Sequence, residues 1–159
     1  MIHFQNNFLS SDLYQKVESY CYRADYYYGE TDNENEIPTG LVHNFELDNE
    51  IVSYFPTKLR DLSLYKAYIN LFYPGEKPNF HIDGVDGPID KDRLTALFYI
   101  NDKNYDLNEG GCTEILTHDN YFISVRPIQN TLATFDAQLL HRATSFKTLP
   151  RFTIALKYS

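Results

Sequence analysis

From residue 64 onward the chain breaks into short apolar runs rich in Tyr, Phe, Ile and Thr, each closed by Gly, Pro, Asn or Asp. Runs of this length with β-branched and aromatic residues are strands, and their spacing is that of an all-β sandwich or barrel. Strands are expected at residues 65–73, 80–83, 94–100, 112–116, 123–127, 131–135, 142–146 and 152–158. These eight suffice for two facing antiparallel sheets of four strands each, and a site in such a fold belongs between them.

The first third reads differently. Leu13, Val17, Tyr20, Cys21 and Ala24 recur at helical spacing behind Ser10 and Ser11, either of which can cap an amphipathic helix. Residues 29–40 are polar and breaker-rich, an exposed loop. A second helix is expected over residues 48–62, broken or restarted at Pro56. The class is therefore mainly β (α+β), with the N-terminal helices packed on one sheet. A chain of 159 residues fits one domain, here residues 1–159, with 1–63 as helical support and 64–159 as the β core. Fourteen Tyr and eleven Phe against no Trp supply a ring-rich core.

A net charge of −8 weighs against a nucleic-acid partner, because such affinity comes from Lys and Arg displacing counterions. No apolar stretch has the length of a membrane span, and residues 1–9 lack the pattern of a leader, so a soluble, cytoplasmic protein is expected. Cys21 and Cys112 are then expected as reduced thiols.

The chemistry concentrates in the β region. His81 and Asp83 stand two apart on an expected strand, so both side chains leave the same face. His141, at the start of a later strand, offers a third donor. Two histidines and one carboxylate fill one face of an octahedron and leave three positions open, the arrangement that suits iron(II) in oxygenases. A His-x-Asp pair alone reads more readily as the end of a solvated turn than as a metal site, and a lone His141 as a polar strand end. His3, His43 and His118 have no carboxylate two residues on and read as structural or surface groups.

Further segments decide between these readings. Asn70-Leu-Phe-Tyr-Pro-Gly75, His81-Ile-Asp83, Leu94-Thr-Ala-Leu-Phe-Tyr-Ile-Asn101, Glu109-Gly-Gly111, Thr134-Phe-Asp136 leading to His141, and Arg151-Phe-Thr153 follow one another in order. From residue 64 to 158 the chain thereby resembles the 2-oxoglutarate- and iron(II)-dependent oxygenases of the prolyl 4-hydroxylase type, including the oxygen-sensing prolyl hydroxylases. The resemblance implies a double-stranded β-helix of the jelly-roll, cupin-like kind. It implies His81, Asp83 and His141 as catalytic iron ligands, with 2-oxoglutarate and molecular oxygen as cosubstrates and ascorbate as a candidate reductant. Arg151, whose planar fork suits a carboxylate, would hold the distal end of 2-oxoglutarate. Tyr99 would donate to the same carboxylate, Thr153 would add a hydroxyl, and Tyr73 would line the pocket near the metal.

The reaction so implied is hydroxylation of an unactivated carbon with release of succinate and carbon dioxide. A peptidyl proline or another protein side chain is the first substrate class, and a free amino acid or small metabolite the alternative. A cupin-like binding module would share the fold, yet would have no need of the three ligands together with Arg151. A cupin isomerase or dioxygenase would draw on more histidines. Gly110 and Gly111 read as a tight approach or bulge, and Cys112 as packing. Segments 29–40, 84–92 and 102–109 are the expected substrate-reading loops; residues 83–90 lack the spacing and closing Glu of a calcium loop and read as a flexible flap over the site.

Overall fold

The structure, a computed structural model, describes residues 1–28, 37–83, 93–101 and 105–159. The expected loops over 29–36, 84–92 and 102–104 lie outside the described residues.

Among the described residues the one α-helix, α1 (Ser11–Cys21), starts where Ser10 turns its hydroxyl back to the Leu13 amide and buries Tyr14, Val17 and Cys21 on one face. Around it runs a seven-stranded antiparallel sheet built from β1 (His3–Asn6), β2 (Leu41–Asn44), β3 (Lys58–Leu59), β4 (Leu62–Phe72), β5 (Leu94–Ile100), β8 (Thr131–Asp136) and β10 (Arg151–Tyr158). Its order is β1-β8-β5-β10-β4-β2, with β3 paired to β4. The second sheet has three strands in the order β7-β6-β9, from β6 (Thr113–Leu116), β7 (Phe122–Val125) and β9 (His141–Ala143).

Strand alternation divides the interior into two cores. Ala96, Phe98 and Ile100 of β5, with Ile154, Leu156 and Tyr158 of β10, face α1 and meet Tyr14, Val17 and Cys21. Leu97 and Tyr99 of β5, with Ala155 of β10, face the other way, onto Ile115, Val125, Ala133 and Phe135 between the sheets. Covered on both faces, β10 is buried along its whole length. Two antiparallel sheets closed on a shared core make the expected double-stranded β-helix.

Two expectations about the first third are corrected. Residues 48–62 form no second helix: they hold a three-residue 3-10 turn, Val52–Tyr54, then β3 and the start of β4. Ile51, Val52 and Phe55 still bury into the helix-side core, so their helix-like spacing was real packing carried by a turn and Pro56. The N-terminal third also contributes two sheet strands, β1 on β8 and β2 on β4, and is not purely helical. The sheets divide as seven and three, not four and four.

Candidate metal centre

The ligand segment is not a regular strand. His81 exchanges both backbone hydrogen bonds with His141 at 2.9 Å, and the Asp83 amide donates to the Ala137 carbonyl at 2.9 Å. Phe80 next to His81 packs against Phe122, ring centres 5.6 Å apart, and under Arg142 at 4.3 Å. Arg142 is itself fixed to its cross-strand partner Glu114 at 2.7 Å. These contacts replace strand pairing as the device that fixes His81 and Asp83.

One donor atom from each of His81, Asp83 and His141 lies within 4.8 Å of the others. Asp83 Oδ2 stands 3.3 Å from His141 Nε2, and Asp83 Oδ1 stands 3.8 Å from His81 Nε2. Metal bonds of about 2.1 Å put neighbouring octahedral donors about 3 Å apart, so small adjustments close the set on one ion. The rings are prepared for it. Nδ1 of His141 lies 2.7 Å from the Leu139 carbonyl, and Nδ1 of His81 lies 3.2 Å from the Asn79 carbonyl. A carbonyl only accepts, so each Nδ1 carries a proton, and each Nε2 is the atom turned to the centre, with a lone pair to offer an ion once it gives up its own proton. Phe135 packs edge-on against His141 at 4.9 Å.

Asp83 also meets the buried Lys157 ammonium through Oδ2, the oxygen to which Thr95 donates. Burial alone would push the Asp83 carboxyl up; Lys157 and His141 outweigh it and hold it well below the usual carboxylate range. A carboxylate offers about four lone-pair positions, enough for an ion beside these two donors.

A narrow cavity runs from His81 and His141 to Arg151, lined also by Thr113, Thr153 and Lys157. Arg151, Thr153, Ala155 and Lys157 share one face of β10, which places a cation at each end of the row. Arg151 is 1% exposed; its Nε donates to the Gly111 carbonyl at 2.7 Å and its Nη2 to Thr113 Oγ1 at 3.0 Å. Burial lowers its pKa, yet a guanidinium stays charged. Tyr99, whose phenol burial pushes up and keeps neutral, donates to Thr113 Oγ1 at 2.9 Å. With two donors on its oxygen, Thr113 retains its own proton for the cavity. Thr153 Oγ1 is buried without a hydrogen-bond partner among the described residues, an orphan that a ligand oxygen would satisfy.

Six of the seven residues expected from the sequence thus converge. Tyr73 does not: it is 51% exposed at the turn after β4, and its neighbour Phe72 lines the cavity instead. Thr113 and Lys157 were not singled out in the sequence. His43 is held by Tyr20 and the Asp25 carbonyl, and His118 lies exposed 4.0 Å from Asp136, both apart from the site. Cys21 and Cys112 are free thiols. Among the described residues no helix is long and apolar enough to cross a membrane.

Two histidines and a carboxylate at one end of a jelly-roll cavity form a donor set that could hold one metal ion, and a buried arginine stands at the other end. The profile of the 2OG-Fe(II) oxygenase superfamily matches residues 67–158, more than half of the sequence, and the chain belongs to that family, a 2-oxoglutarate-dependent dioxygenase using iron(II) and molecular oxygen. No curated protein matches it significantly. Among solved structures it is similar to a Pseudomonas putida prolyl-4-hydroxylase, with 16% identity, a TM-score of 0.77, and 99% of this chain and 91% of that one covered. It is also similar to a Trichoplax adhaerens prolyl hydroxylase in complex with a hypoxia-inducible-factor oxygen degradation domain peptide, with 19% identity, a TM-score of 0.73 and coverages of 99% and 82%. A third is an alpha-ketoglutarate-dependent carbocyclase from nogalamycin biosynthesis, at 13% identity, a TM-score of 0.68 and coverages of 99% and 78%. At these identities the likeness speaks for the fold.

Proposed function

We propose that this protein hydroxylates an unactivated carbon of a peptidyl side chain, proline first, with release of succinate and carbon dioxide. The observation that carries the reading is the pairing of a preorganised donor set with a buried guanidinium in one cavity. His81, Asp83 and His141 would hold iron(II), and Arg151 would pair with the distal carboxylate of 2-oxoglutarate. When bound, iron with 2-oxoglutarate supplies the oxidising chemistry.

The chain's own residues bind, orient and exclude water. The Nδ1 hydrogen bonds to Leu139 and Asn79 hold the imidazoles in the ligating tautomer and resist their rotation. Tyr99 and the Gly111 carbonyl hold Thr113 and the Arg151 fork in place, so their orientation is settled before the cosubstrate arrives. Thr113 and Thr153 present hydroxyls to the same end. Lys157 keeps Asp83 ionised, the state in which it ligates.

The substrate class has support from the similarity in fold to two prolyl hydroxylases. The test is a 2-oxoglutarate turnover screen across proline-containing peptides, free amino acids and other small metabolites, read as succinate. Stimulation by peptides that disappears when proline is replaced supports the reading; stimulation confined to free amino acids or metabolites transfers the activity to the small-molecule class.

A further inference from the structure

Asp83 has two oxygens, and how many of them reach an ion decides how many positions that ion keeps open. Oδ2 stands 3.3 Å from His141 Nε2 and Oδ1 stands 3.8 Å from His81 Nε2, so an ion between the two rings would be within reach of both. A carboxylate bound through both oxygens would fill a fourth position of the octahedron and leave two. A chelating cosubstrate takes two by itself, and oxygen would then have none.

The two oxygens are not equivalent. Thr95 donates to Oδ2 at 2.5 Å, and the Lys157 ammonium donates to the same atom. One carboxylate oxygen has about two lone-pair positions, so this pair of donors saturates Oδ2. Among the described residues Oδ1 accepts no hydrogen bond, and its lone pairs remain for an ion.

The sheet presets the pair. Lys157 of β10 and Thr95 of β5 lie directly opposite each other in the register, with Lys157 Nζ 3.4 Å from Thr95 Oγ1. Asp83 comes to them from a segment outside the named strands, tied by its amide to the Ala137 carbonyl. A lysine ordinarily carries its ammonium out to water along its own apolar stem. Lys157 borders a second cavity, of about 320 Å³, yet its ammonium is buried, turned onto Asp83 and lying 5.6 Å from the centre of the Tyr68 ring. Giving up hydration at that place points to a task at the carboxylate.

We infer that Lys157 and Thr95 are positioning residues for the metal centre: together they occupy Asp83 Oδ2 and leave Oδ1 as the single oxygen with which Asp83 ligates. Three positions of an octahedral ion then stay open for cosubstrate and oxygen. The inference rests on the metal-centre reading and deepens it.

The waters retained by bound Mn(II) can be counted on the full chain by electron-spin-echo modulation in H2O and D2O. The parent protein should retain about three. Lys157→Met/Thr95→Val, which removes both donors with little change of volume, should retain about two and bind 2-oxoglutarate about tenfold more weakly, because the freed Oδ2 competes for a position. Lys157→Met alone should show the same loss of one water. A merely structural ion pair would leave the count at three in every variant, and the count does not follow the charge removed with Lys157. A parent count of about two, which needs no variant to fold, or a count of three in the Mn(II)-loaded double variant overturns the inference. An unchanged count in Lys157→Met beside a lowered one in the double variant overturns the part given to Lys157. Mn(II) binding that is lost in His81→Ala while the parent count is two leaves the metal centre standing without this device. Mn(II) bound equally well by His81→Ala counts against the metal centre itself, and the inference falls with it.

Discussion

Asp83 is the residue on which most of the proposed site depends, because it would serve as ligand and is also the counter-charge of Lys157. Its carboxylate faces two imidazoles and also neutralises Lys157, which is only 5% exposed. Asp83→Ala should therefore abolish turnover and in addition cost about 3–5 kcal/mol in urea unfolding of the metal-free protein, the penalty for stranding a buried cation. Adding Lys157→Met should recover most of that stability and none of the turnover. His81→Ala, which strands no charge, should lose turnover with a much smaller stability change. Arg151→Ala removes a charge-assisted pair worth about 1.5–3 kcal/mol, so the KM for 2-oxoglutarate should rise about 10–100-fold while metal affinity holds. A KM for 2-oxoglutarate unchanged in Arg151→Ala would remove the residue from the cradle.

Among the elements, β10 and the turn before β6 do the positioning. Gly111 has φ +72, and a Cβ there would sit 2.2 Å from the Phe146 ring, while its carbonyl is the acceptor for Arg151 Nε. Gly111→Ala should thus weaken 2-oxoglutarate binding as Arg151→Ala does, at a stability cost of about 1–3 kcal/mol, with metal binding retained. What the sequence disclosed follows the same division. β5 and β10 were legible because both of their faces are apolar enough to show as runs, and the ligands because their order survives without a regular strand. β1 and β2 were not, since His3-Phe4-Gln5-Asn6 and Leu41-Val42-His43-Asn44 are four residues each and draw their structure from pairing to β8 and β4. Residues 48–62 misled because Ile51, Val52 and Phe55 fill a core at helical spacing without a helix. Counting by twos from Asn70 along β4 would have chosen Phe72 over Tyr73. Thr113 and Lys157 carried no local signal: the packing of one sheet on the other sets Thr113 beside Arg151, and Asp83 reaches Lys157 from a segment outside the named strands.

At the scale of the whole molecule, two cores share one large sheet and serve different ends. The helix-side core encloses Cys21, whose thiol burial pushes up to about 12, so it should resist alkylation at pH 8 in native protein and react only on unfolding. Rapid native labelling of Cys21 by mass spectrometry would show that α1 does not stay packed. The inter-sheet core is where we place the chemistry, with the proposed metal ligands at one end of its cavity and Arg151 at the other. The most direct measurement of that arrangement is anaerobic titration of the purified chain with iron(II) and then 2-oxoglutarate, followed in the visible. A weak charge-transfer band should appear only when both are present, fail with succinate in place of 2-oxoglutarate, vanish in His81→Ala, and need a higher 2-oxoglutarate concentration in Arg151→Ala. Bound iron(II) that gives no such band with saturating 2-oxoglutarate, or a band that persists in His81→Ala, would contradict the assignment of this site.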